Sequence, residues 1–225
     1  MTFKPVIVEI AAHSVQAALA AQAGGAHRVE LFSNPVEGGV TPSAGLIELV
    51  RDRVKIPLHV IIRPRAGDFC YCQADLDVMH RDITTAKRMG IDGVVLGNLS
   101  PAGTVDVKHT RELIEAAGPM SVTFHRAIDM CCDVVGSLND VIASGADRVL
   151  TSGGATDAYR GISVLKSLVR EARDKIAVIA AGGIRTSNVG EIVQQTGVRE
   201  VHAGLRTRVP SPMRFRNEKV SFLYT

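Results

Sequence analysis

The chain has 225 residues, of which 46% are hydrophobic, 22% charged and 4% aromatic. This composition excludes a disordered or collagen-like polymer, and a chain of this length buries about 70–75% of its unfolded surface, enough for one large core. The net charge is only +3, with 26 Lys and Arg scattered along the sequence, so no basic stripe marks a nucleic-acid partner.

Short β-branched runs alternate with longer stretches of helical period. In chain order the sequence predicts strand Val6–Ile10, helix Ser14–Ala23, strand Arg28–Phe32, helix Ser43–Val54, strand Leu58–Arg63, helix Ala74–Met89, strand Gly93–Gly97 and helix Val107–Ala117. Strand Ser121–Arg126, helix Val134–Ser144, strand Arg148–Ser152, helix Ala158–Arg173, strand Ala177–Ala181, helix Ser187–Thr196 and strand Glu200–Ala203 follow. Brief, apolar strands suit a parallel sheet covered on both faces. Eight strands and seven helices in strict alternation predict an α/β protein of one domain over residues 1–225, a (β/α)8 TIM barrel. The rival with the same local alternation is an open, doubly wound sheet. An internal echo favours closure: Gly25-Ala26, Gly90-Ile91, Gly145-Ala146 and Gly197-Val198 each end a helix two residues or so before a strand.

The segment after the eighth strand, Leu205–Thr225, contains Pro210 and Pro212 and lacks the apolar period of a closing helix. Strands eight and one then keep an apolar outer face, and a homo-oligomer is expected to cover it. Met1-Thr2-Phe3-Lys4-Pro5 does not read as a secretory leader, and no apolar run approaches the ~18–20 residues of a membrane crossing. Four Cys, two of them adjacent, read as reduced thiols in a cytoplasmic protein.

In a barrel the chemistry gathers where strands end and βα loops begin. Polar residues expected there include Glu9, Glu30, His59, Arg63, Asn98, His125, Asp129, Thr151 and His202. Charges inside apolar strands need partners, so Glu9 and Glu30 are expected to pair with Arg63, either to seal the mouth or to hold a ligand. Glu9, Glu30 and His125 are the candidate acid–base residues; a cation at Arg126 beside His125 can tune its proton affinity. Arg63, Arg65, Asp68, Arg126 and Ser152 are candidate ligand contacts. Gly182 and Gly183 join them, because loops after the last strands of such barrels often bind phosphate through backbone N–H groups; Arg185 or Arg206 would add charge. The same glycines equally serve tight turns. Thr41 with Pro42 reads as a helix start. Cys70, Cys72, Cys131 and Cys132 fall in loops of one rim, where they are either free thiols or soft ligands for Cu(I) or Zn(II).

Several strings resemble the copper homeostasis protein CutC family. They are Arg28-Val29-Glu30-Leu31, Glu37-Gly38-Gly39-Val40-Thr41-Pro42-Ser43, Ile62-Arg63-Pro64-Arg65-Ala66-Gly67-Asp68-Phe69, Val122-Thr123-Phe124-His125-Arg126-Ala127, Arg148-Val149-Leu150-Thr151-Ser152-Gly153 and Met213-Arg214-Phe215-Arg216-Asn217. The resemblance implies a cytoplasmic, commonly oligomeric (β/α)8 barrel linked by name to copper binding. Family members often carry Cys after the first-strand Glu-Ile and second-strand Glu-Leu, as proposed copper ligands; Ala11 and Phe32 stand there in this chain. Members also usually continue past the Met213–Asn217 string into a closing helix. Two functions follow as expectations: a Cu(I)-binding homeostasis protein using the rim thiols, or an enzyme acting on a small anionic or phosphorylated metabolite at the barrel mouth. An interaction-only role has the irregular tail alone behind it.

Overall fold

A four-residue strand such as Gly93-Val94-Val95-Leu96 cannot leave either face in water, and the chain buries such strands by closing them into a ring. The computed structural model describes residues 5–205, 207, 209–215 and 218–219. The strands are β1 (Ile7–Ala12), β2 (Arg28–Leu31), β3 (Leu58–Ile61), β4 (Gly93–Leu96), β5 (Ser121–Phe124), β6 (Arg148–Thr151), β7 (Ala177–Ala181) and β8 (Glu200–Ala203). Between them lie α1 (Val15–Ala23), α2 (Ala44–Arg53), α3 (Gln73–Arg88), α4 (Val107–Ala117), α5 (Ser137–Ser144), α6 (Ile162–Ala172) and α7 (Val189–Thr196). Each strand pairs in parallel with the next, and β8 returns to β1, so the sheet is a closed barrel and the open-sheet alternative is excluded.

Local chemistry sets the helix ends. Ser14 caps α1 by accepting from Ala17 N, and Asp106 caps α4 by accepting from His109 N. Gly145 and Gly197 close α5 and α7 in the left-handed region, as the glycine echo predicts. Three helix starts differ from expectation. Ser43, rather than Thr41, caps α2 by accepting from Leu46 N, because the Thr41 hydroxyl is engaged with the Arg63 backbone. Helix α5 begins after Asp133, whose carboxylate takes the Gly136 N–H. Helix α6 begins after a turn in which Asp157 accepts from Arg160 N and Gly161 N.

The outward strand residues and the apolar helix faces form two clusters, one around Leu31, Val60, Met79 and Leu113, the other around Phe124, Leu138, Leu165 and Ile192. The barrel interior has its own apolar groups, Phe32 with Ile61 and Val95, and Leu150 with Ile179 and Ala181. Among the described residues no helix follows β8. Val8 and Ile10 on the outer face of β1 are half-buried, while Leu205, Val209, Met213 and Phe215 are exposed. Arg206, Arg216 and Asn217 lie outside the described residues.

Candidate functional site

Alternation along each strand sends every second side chain inward. Arg28 and Glu30 therefore share the inner face of β2, and the register sets Glu9 beside Arg28 on one side and His202 on the other. At the lower end Arg28 forms a short ion pair with Glu9 and a second with Glu200 at 2.6 Å, and Arg148 approaches Glu200 at 3.6 Å. Above this floor, His202 Nδ1 lies 2.7 Å from Glu9 Oε1 and 3.7 Å from Glu30 Oε2. The cation of the interior layer is thus Arg28, not Arg63. Arg63 stands past the C-terminal end of β3, where its guanidinium donates to the carbonyls of Glu37, Gly39 and Gly67.

The two interior carboxyls are driven apart in proton affinity. Burial works to raise Glu9, but the His202 hydrogen bond and the charges of His202 and Arg28 outweigh it and hold Glu9 down at about 2. Burial pushes Glu30 up to about 7, with the Glu9 charge adding to it and His202 and Arg28 opposing. His202 feels burial lowering it, yet the charge of Glu30 and the hydrogen bond to Glu9 raise it overall. Below them, burial lowers His59 to about 4. The backbone of Gly93 makes room for that ring, since a Cβ there would meet His59 Nε2 at 2.5 Å.

At the mouth, the sequence-predicted residues divide. His125 is buried and lies against Phe69, with ring centroids 4.9 Å apart, and the Arg63 guanidinium sits over the same Phe69 ring, 4.9 Å from its centroid. Burial, helped by the Arg63 charge, lowers His125 to about 3, so this imidazole is neutral at physiological pH. Arg65 and Asp68 pair with each other at 3.0 Å, and Arg65 also reaches Asp75 and the Cys70 carbonyl. They brace the loop before α3 at its exposed edge.

Arg126 and Ser152 meet, Arg126 Nη2 donating to Ser152 Oγ at 2.7 Å, and a Cβ at Gly182 would touch both. The anion they hold is the protein's own. Asp129 accepts from Arg126 Nε, Thr151 Oγ1, Ser152 N, Ser152 Oγ and Gly154 N. This carboxylate fills a donor nest built from Arg126 and the loop after β6, not the Gly182–Gly183 loop expected to hold phosphate. Gly183 lies next to Asp157, and Arg185 donates to the Ile184 carbonyl.

All four cysteines are free thiols. Cys72 precedes α3 with its N–H on Asp75, and Cys131 is buried with Sγ toward the Ala127 carbonyl. Among the described residues, the group of three or more potential metal ligands that converges is Glu9, Glu30 and His202, with ligand atoms within 4.8 Å of one another. It contains no thiol. The interior positions Ala11 and Phe32 pack with Ile61 and Val95 as apolar filling. A soft, thiolate-rich Cu(I) centre therefore does not fit the barrel interior; carboxylate and imidazole donors suit a harder or borderline divalent ion.

Sequence reading missed Arg28, Arg148 and Glu200 as members of the interior cluster. The period-two alternation that places Glu30 inward also places Arg28 inward, so the signal was present. Which charge reaches Glu9 depends on strand stagger, which no local pattern encodes.

Comparisons with known proteins agree with this architecture. The CutC family profile matches residues 6–207. A protein named family protein CutC from Xanthomonas campestris pv. campestris (strain 8004) is 49% identical over 199 residues, covering 88% of this chain and 83% of that one. Another from Mesorhizobium japonicum is 44% identical over 214 residues, covering 95% and 83% respectively. The crystal structure of CutC from Streptococcus agalactiae, described as a copper homeostasis protein, superposes with a TM-score of 0.83 at 30% identity, over 88% of this chain and 97% of that one. By its matching profile, its relatives and its barrel, this chain belongs to the CutC family.

Proposed function

We propose that this CutC-family barrel is an enzyme of proton transfer acting on a small anionic metabolite. Glu30 and His202 exchange the proton, while Glu9 and Arg28 fix the charge of the imidazole. One observation carries this reading: a buried carboxyl with a proton affinity near neutrality, about 7, stands 3.7 Å from an imidazole already held by a second carboxylate. Pairs of titratable groups pushed apart in this way are the mark of an acid–base centre. A purely structural seal needs only opposite charges, and the Arg28–Glu9–Glu200 layer already supplies one. His125 supports the reaction as a neutral hydrogen-bonding group. A thermal-shift screen of carboxylated and phosphorylated metabolites tests the reading, since a ligand specific to the native state raises the midpoint. A hit turned over by the wild type and not by Glu30→Gln supports it. Turnover by Glu30→Gln with an unchanged pH profile sinks it.

A second reading, copper binding, is favoured by the description of the S. agalactiae relative and by the convergence of Glu9, Glu30 and His202. The N/O donors select Cu(II), whereas Cys70, Cys72, Cys131 and Cys132 on the rim are the donors suited to Cu(I). Titration of each oxidation state against a competing chelator separates the two sets. Cu(I) affinity that survives removal of all four cysteines eliminates the thiols. The cytoplasmic setting belongs to this proposal, as does self-association through the half-buried outer face of β1 and the exposed Leu205 and Val209; light scattering showing a monomer at high concentration would count against the latter. Among the described residues, no helix is long and apolar enough to cross a membrane.

A further inference from the structure

The β3–β5 side of the mouth holds three buried polar side chains with open hydrogen-bonding atoms. Arg63, Asn98 and His125 are 4%, 2% and 6% exposed. Among the described residues, Arg63 Nε, both amide atoms of Asn98 and His125 Nε2 have no hydrogen-bond partner. Unpartnered buried groups are costly, and a native fold that keeps several together points to something else that satisfies them.

Their chemistry is one-sided. His125 Nδ1 accepts the Ala127 N–H at 3.2 Å, so the neutral ring carries its proton on Nε2, which is the open atom. Arg63 Nε–H and the Asn98 amide NH2 are donors as well. Among the described residues no carboxylate pairs with Arg63; its other donors end on the carbonyls of Glu37, Gly39 and Gly67, and the buried Tyr71 hydroxyl lies beside it. The result is a buried cation with three open donors and one open acceptor, Asn98 Oδ1. A phosphate site would need a larger donor nest, and the nest nearby is filled by Asp129.

Arg63 and His125 adjoin Phe69, and Asn98 is tied to it through the backbone of its neighbour Leu99. The Arg63 guanidinium and the His125 ring each lie 4.9 Å from the Phe69 ring centroid, and the Phe69 carbonyl accepts from Leu99 N, next to Asn98, at 2.8 Å. The aromatic ring lies against the guanidinium and the imidazole.

We propose that this side of the mouth is a subsite for a small 2-hydroxy carboxylate, whose carboxylate takes the open donors of Arg63, His125 and Asn98, whose hydroxyl donates to Asn98 Oδ1, and whose entry displaces the Phe69 ring. It rests on the proton-transfer reading, in that it names the anionic substrate class for the same mouth. The carboxylate compensates the Arg63 charge, and such charge-assisted bonds are short and strong.

Glycolate is the probe, with acetate, glycolamide and inorganic phosphate as controls, read by calorimetry on the full chain. The wild type binds glycolate more tightly than any control. Asn98→Leu, which removes both open amide atoms, weakens glycolate about tenfold or more, while its unfolding midpoint stays level or rises. Asn98→Asp supplies an internal carboxylate to Arg63 and abolishes glycolate binding with a raised midpoint, which keeps the test open if the Leu variant folds poorly. Phe69→Ala speeds association. Absence of glycolate binding, equal affinity in the wild type and both Asn98 variants, or equal affinity for glycolamide or phosphate overturns the subsite. If glycolate needs Asn98 but no hydroxy acid is turned over, only the proton-transfer reading fails.

Discussion

Glu30 Oε2 stands 3.7 Å from His202 Nδ1 inside the barrel, close enough for each charge to set the proton affinity of the other. Glu30 binds its proton up to a pH of about 7, against an ordinary 4.5. Between those values the folded chain holds a proton that the unfolded chain has released. Stability contributed by this group is therefore complete below about 4.5 and is lost as the pH rises through 7. Glu30→Gln should raise unfolding stability by about 1–3 kcal/mol at pH 8 and change it little at pH 4. Urea melts at both values check this, and an equal effect at the two would remove the basis for Glu30 as a proton carrier.

Arg28 carries the opposite expectation. It compensates Glu9 and Glu200 at once, so Arg28→Met leaves Glu9 to His202 and Glu200 to the more distant Arg148 and should cost about 3–5 kcal/mol at pH 7. Because Glu9 is held down at about 2, its own contribution is present above pH 4.5 and disappears as the pH falls toward 2. The wild type should weaken over that acid range, and a denaturation series in which Glu9→Gln shows the same acid slope would contradict the pairing.

Gly97 leaves room for His125: a Cβ there would lie 2.6 Å from His125 Nδ1 and 3.2 Å from the Ala127 Cβ. Gly97→Ala should cost about 1–3 kcal/mol by overpacking and push the imidazole from its buried position. NMR titration would then find His125 moved from about 3 toward the ordinary histidine range. An unmoved titration with full stability would mean that the ring has space the structure does not give it.

Asp129 occupies the donor nest of the loop after β6, with its side chain 6% exposed. Asp129→Ala should cost about 2–4 kcal/mol, since Arg126, Thr151, Ser152 and Gly154 each lose an acceptor. Inorganic phosphate should recover part of the lost midpoint in this variant and do little for the wild type. Recovery by chloride to the same extent would reduce the effect to ionic strength.

The order of strands and helices was legible in the residues because each element announces itself locally. Ser14 and Asp106 supply caps, Gly145 and Gly197 end helices, and runs such as Val94-Val95-Leu96 admit only a strand covered on both faces. The same alternation marked Glu9, Glu30 and His125 as inward charges or bases. It did not say that Arg28 would reach Glu9 while Arg63 stayed above, tied to three carbonyls and to Thr41. Nor did it say that Asp129 would fill the donor nest of the loop after β6, or that the four thiols would stand apart from Glu9, Glu30 and His202.

Local sequence thus determined which residues form strands, which helices, and which side chains point toward the axis. Closure decided everything that depends on residues distant along the chain, such as the meeting of Glu9 with His202 across the seam between β1 and β8. Periodicity is a property of neighbours, whereas the stagger of eight strands around a ring is a property of the whole. Proton affinities follow the second, because burial and opposing charge exist only once the ring is shut.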